Sequence, residues 1–102
     1  MSVLMTLRVT GDPTAIEKLG ADNGALFEGV VADASSRGLI SHHFYGNDTE
    51  LLVVDEWPDE ASFQGFMENS GGQIQQMMAA AGVTAEPAIE FWRHLEVGDD
   101  VG

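Results

Sequence analysis

Two runs rich in β-branched and aromatic residues, LISHHFYG at 39–46 and ELLVVDEW at 50–57, are linked through the turn-forming segment GNDT. Runs of this composition set so close together meet as a β-hairpin. Facing residues of a hairpin have a constant sum of positions, and that sum is odd when the loop has an even length. Because side chains alternate between faces, an even loop puts Ile40, His42 and Phe44 on one face with Leu51, Val53, Asp55 and Trp57. The other face then carries Leu39, Ser41, His43, Tyr45, Leu52, Val54 and Glu56. A three-residue loop exchanges the two sets. The favoured two-residue turns, at Asn47-Asp48 or Gly46-Asn47, are even, so His42 rather than His43 is read as sharing the apolar face with Trp57.

The segments flanking the hairpin complete the fold. VLMTLRVT alternates as a strand, with Val3, Met5, Leu7 and Val9 on one side. Asp12-Pro13 reads as a helix N-cap followed by proline at the first helical position. Apolar residues then recur at three- and four-residue steps up to Ala34, with a break expected between Gly20 and Gly24 and a stop at Gly38. Asp59 caps a second helix, expected to be interrupted at Ser70-Gly71-Gly72 and to end at Gly82. EPAIEFWRHLE, 86–96, is the last strand, with Pro87 at its edge, and 97–102 reads as a frayed tail. The order β-α-β-β-α-β with two right-handed crossovers gives one α+β domain over 1–102, of ferredoxin-like type. Two helices cover one face of a four-stranded antiparallel sheet. Leu4, Leu39, Leu52, Val54 and aromatics on the other face call for a cover, most simply a second copy of the chain in a homodimer.

Charge narrows the partners. Arg8, Lys18, Arg37 and Arg93 are the only fixed cations against 17 carboxylates, a formal net charge of −13. Such a surface repels nucleic acid, anionic membranes and polyphosphates, whose binding requires Lys and Arg. No cysteine is present, which removes thiolate chemistry and suits the reducing cytoplasm. Adjacent His42 and His43 cannot ligate one ion from a common face, adjacent Asp55 and Glu56 fail the same test as paired catalytic carboxylates, and no HxH, HExxH, GxGxxG or Walker-type spacing occurs, so neither metal nor cofactor is expected. No apolar run reaches the ~18 residues of a membrane span, and the N-terminal residues lack the pattern of a signal peptide.

LLVVDEWPDEASFQGFMEN, the methionine-rich helix after it and IEFWRHLE together resemble the antibiotic-biosynthesis-monooxygenase family of dimeric α/β barrels. The similarity runs from the first strand to about Glu96, and its most specific piece is Trp57 at a strand end before an acidic helix start. It implies a homodimer with a cavity between sheet and helices. Some members insert oxygen into aromatic polyketides without metal or flavin, and related ones break down haem. The tryptophan carries over to Trp57. The histidine of the haem-degrading branch falls on Met67, and its first-strand asparagine has no counterpart among Val3 to Thr10. The polar amide that the aromatic branch places four residues before the tryptophan is Val53 here.

Oxidation without a cofactor requires a base for a phenol or enol, a hold on the resulting anion, and a dry chamber. His42 is the candidate base, Arg93 the candidate stabiliser of the oxyanion, and Trp57 a flat wall. Phe44, Phe63, Met67 and Met77 are the candidate substrate contacts, since methionine adapts to varied apolar ligands. The plainer readings are a core histidine bonded to backbone, a core tryptophan and methionines as filler. The functional expectation is a cofactor-independent monooxygenase for an apolar aromatic or polyketide-like substrate. The alternative is a dimeric binding protein for a hydrophobic small molecule, with haem handling a third reading.

Overall fold

The computed structural model describes residues 1–102. The elements are β1 (Val3–Thr10), α1 (Pro13–Asp22), α2 (Gly24–Ser36), β2 (Ser41–Gly46), β3 (Glu50–Trp57), α3 (Glu60–Ala80) and β4 (Ala88–Trp92). The four strands form one antiparallel sheet in the order β2-β3-β1-β4. This is the expected ferredoxin-like arrangement, with the first crossover helix divided at Asn23 into α1 and α2. The Asp12 carboxylate accepts from the Thr14 N–H at 2.9 Å and starts α1, with Pro13 in the first turn.

The hairpin tip is a two-residue loop, Asp48-Thr49, closed by the Asn47 N–H donating to the Glu50 carbonyl at 3.1 Å. The Asn47 side chain accepts from the Thr49 and Glu50 N–H groups at 2.9 and 2.8 Å. The tip therefore lies one residue beyond the nearest turn read from the sequence. Its even length preserves the face assignment, and His42 faces Asp55 directly, with Phe44 opposite Val53. The residues before β2 depart from the alternation. Leu39 donates its N–H to Ala34 at the end of α2 and packs against the core, while Ile40 is exposed. Pairing starts in earnest at Ser41, so the strand's two-residue period does not govern positions 39 and 40. Gly38 makes this bend with φ +98°, and a Cβ there would stand 2.9 Å from Pro58 Cγ.

α3 corrects the expected interruption at Ser70-Gly71-Gly72, for the helix runs unbroken from Glu60 to Ala80. Each glycine costs about 1 kcal/mol against alanine in a helix, and tertiary contacts on both sides offset that cost. Phe63, Phe66, Ser70 and Met77 are buried along its inner side. Ser70 Oγ donates to Asp33 Oδ2 at 2.7 Å, and Asn69 Nδ2 donates to the same oxygen at 3.1 Å. Arg37 Nε holds the other oxygen at 3.1 Å, so Asp33 clasps α2 to α3. The hydrogen bonds from Ser70 and Asn69, with Arg37 behind them, hold the Asp33 carboxyl below its usual range.

The core lies between the sheet and the helices. Met5, Leu7 and Val9 of β1 and Leu51, Val53 and Trp57 of β3 are buried on the inner face. Trp57 is 0% exposed and packs against Phe63 and Phe66 at ring distances of 5.9 and 5.4 Å. Each buried aromatic contributes about 1.5–3 kcal/mol, and such ring pairs add about 0.5–1.5 kcal/mol. The outer sheet face remains uncovered in the single chain: Leu4, Tyr45 and Trp92 are 39%, 56% and 49% exposed. Leu39, read from the sequence as part of that face, lies inside.

Candidate functional site

Between the inner sheet face and α2 and α3 lies a cavity of about 80 Å³. Met5, Leu7 and Val53 form its floor, Phe27, Val30 and Ala34 come from α2, and Phe63, Phe66, Met67 and Met77 come from α3. Of all the lining residues only His42 and Asp55 are not hydrophobic. Phe44 stands edge-on to the imidazole, with ring centres 5.3 Å apart.

A carboxylate in such surroundings is costly unless each oxygen is bonded, by several kcal/mol for a bare ion. Asp55 is 5% exposed, and both of its oxygens are engaged. Oδ1 lies 2.6 Å from His42 Nδ1, and Oδ2 accepts from Trp57 Nε1 at 3.2 Å. The hairpin register produces the first contact by setting His42 and Asp55 directly opposite. The second follows from strand geometry, because Asp55 and Trp57 are two apart on the same face. An ionised carboxylate only accepts, so Nδ1 carries the proton in this pair. Nε2 has no partner within the protein and is the free acceptor of a residue that lines the cavity.

The other residues singled out from the sequence divide cleanly. Phe44, Phe63, Met67 and Met77 line the cavity. Trp57 does not: it lies behind the lining, where its indole braces Asp55, so the expected flat wall is supplied by phenylalanines. Arg93 is a clear correction. β4 ends at Trp92, opposite Leu4, and Arg93 is exposed beyond the paired residues, outside the cavity. No arginine or lysine reaches the cavity. Tyr45 and His43 are both exposed on the outer face. His42 is bonded to a side chain rather than to backbone, which sets it apart from the plain core histidine.

Asp55 is the site residue that sequence reasoning passed over, since adjacent Asp55 and Glu56 fail as a pair of catalytic carboxylates. The signal was present. Asp55 is the one carboxylate among the inward positions of β3, and such a group needs donors on its own face. His42 and Trp57 are the polar side chains assigned to that face. No cluster of three or more His, Cys, Asp or Glu side chains able to hold a metal occurs.

Neither a protein-family profile nor a curated protein sequence matches the chain. Solved structures do match. SnoaB, a cofactor-independent oxygenase from Streptomyces nogalater, superposes with a TM-score of 0.61 at 12% identity, over 97% of each chain. A dimeric ferredoxin-like protein from an uncultured marine organism gives 0.68 at 14% identity, over 98% of this chain and 93% of its own. A Caulobacter crescentus protein assigned to the antibiotic biosynthesis monooxygenases gives 0.62 at 12% identity, over 93% of this chain and 91% of its own. Similarity at these identities shows the fold, and the resemblance read from the sequence is borne out at that level.

Proposed function

We propose that the cavity binds an uncharged hydroxyaromatic or enolic compound, polyketide-like in its apolar ring system, and oxidises it with molecular oxygen without a cofactor. The observation that carries this reading is the 2.6 Å contact of His42 Nδ1 with Asp55 inside an otherwise apolar chamber. Asp55 orients the imidazole, His42 Nε2 takes the substrate O–H proton, and the electron-rich ring carbon donates to oxygen. The hydroperoxide formed there loses water, so a hydroxyaromatic C–H and one O2 become a quinone and one water. Phe44, Phe63, Met67 and Met77 hold the ring and exclude solvent, which strengthens each polar contact. The fold shared with a cofactor-independent oxygenase supports the same chemistry.

One observation favours binding without turnover, the alternative reading. No cation lines the cavity, so nothing but the His42 imidazolium faces a developing oxyanion. Oxygen uptake by hydroxynaphthalenes separates the two readings. Uptake that falls by about 10²–10⁴ in His42→Ala and persists in His43→Ala supports catalysis. Binding of the same compounds with no uptake above buffer favours the carrier.

The chain is further read as a cytoplasmic homodimer. Support comes from the uncovered outer face with Leu4, Tyr45 and Trp92 and from structural neighbours described as dimeric. No helix is long and apolar enough to cross a membrane.

A further inference from the structure

α3 crosses the sheet with open space on both of its sides. On the β2 side is the cavity that holds His42. On the β4 side, between α3, β4 and the segment 83–87, is a second concavity of about 580 Å³. Leu7, Met67, Ile74 and Met78 line both. Met67, Ile74 and Met78 are spaced by seven and four residues, so they form one stripe along α3, and Leu7, in the middle of β1, lines both spaces with them. The partition between the two spaces is therefore one layer of side chains, two of them methionines, which reshape at little cost.

We propose that this groove is the outer compartment of the same site. It would hold the distal end of an elongated, uncharged aromatic ligand whose hydroxylated end lies at His42, with Met67 and Met78 as the movable partition. The inference rests on the proposed aromatic ligand. Two features of the groove fit that occupant. Its walls are chiefly apolar, with Val83, Pro87 and Ile89 facing α3, and its one ionisable residue is Glu86. An anionic tail would meet that carboxylate on a chain of net charge −13, whereas a neutral ring system would not. The size relation points the same way. The cavity at His42, about 80 Å³, is small for more than the reacting end of a multi-ring compound, while the groove, about 580 Å³, has room for the remainder.

The test compares a short probe, 2-naphthol, with a long one, trans-4-hydroxystilbene, by calorimetric titration of the whole protein. Ala79→Trp and Ala85→Trp fill the groove from opposite walls at exposed positions that do not line the inner cavity. Each is checked for an unchanged far-UV spectrum, and two independent variants guard against one that misfolds. The expected result is a ten- to hundredfold loss of affinity for the stilbene, from one excluded ring, with naphthol within twofold of the parent. Stilbene binding unaltered by both folded variants would overturn the outer compartment while leaving the aromatic site intact. Equal loss of both probes would also overturn it, since the groove would then not read ligand length. Failure of the parent protein to bind naphthol at all would remove the proposed aromatic ligand and this inference with it.

Discussion

Asp55→Asn isolates the orienting carboxylate. The substitution keeps the shape of a residue only 5% exposed and changes one acceptor oxygen into a donor. Trp57 Nε1, at 3.2 Å, can only donate, so the amide oxygen stays with the indole. The amide NH2 then faces His42 Nδ1, 2.6 Å away in the parent, and the neutral imidazole must move its proton to Nε2. The free acceptor is thereby lost. Oxygen uptake should fall by about 10²–10⁴, the range for loss of a general base. The fold should survive. One charge-assisted hydrogen bond, about 1.5–3 kcal/mol, is lost, but the desolvation of a buried carboxylate is relieved as well, leaving a net cost under about 2 kcal/mol. Asp55→Ala, which strands both donors, should cost about 3–5 kcal/mol. Urea titration gives the stabilities, and 15N spectra of the imidazole give the tautomer directly. A parent protein with its proton on Nε2, or Asp55→Asn turning over at the parental rate, would refute the argument.

Three further outcomes are expected. Because Asp33 ionises more readily folded than unfolded, stability should fall as pH drops below 3.8, where the unfolded chain binds the extra proton. Asp33→Asn should flatten that acid slope in urea titrations at successive pH values. Gly72→Ala, whose Cβ would meet nothing within 4 Å in the unbroken α3, should gain up to about 1 kcal/mol, whereas Gly38→Ala, at φ +98° against Pro58, should lose stability by thermal melting. Sedimentation should give twice the 10.9 kDa chain mass, with the dimer tightening as salt screens its charge and dissociating in Trp92→Asp.

Where the sequence could be read, one periodicity spoke for the whole element. β1 and β3 alternate without a fault, so their inward residues and the face of His42 followed from position alone, whereas the register that sets His42 opposite Asp55 depended on a turn one residue beyond the one read. Legibility failed where a contact distant in sequence decided the matter. Ser70-Gly71-Gly72 looks like a break, and the Asp33 clasp that keeps it helical lies 37 residues away. Leu39 turned inward because the end of α2 captured its N–H. Arg93 was given a role on the assumption that β4 continued, whereas pairing with β1 stops at Trp92. Asp55 was judged against its neighbour Glu56, and its meaning came from the strand across the ladder.

The separation of 13 residues between His42 and Asp55 also bears on how the molecule assembles. Every polar group of the site, with Trp57 included, belongs to a single hairpin, an element that forms within about 1–10 μs. The apolar walls come from β1, α2 and α3 and require the long-range contacts that arrive later and more slowly. If the hairpin closes first, the carboxylate has its partners before water leaves, and no unpaired ion is buried on the way to the native state. The same division applies to damage. A lesion in the walls changes the shape of the cavity, while the His42–Asp55 contact, made within one hairpin, keeps both of its partners.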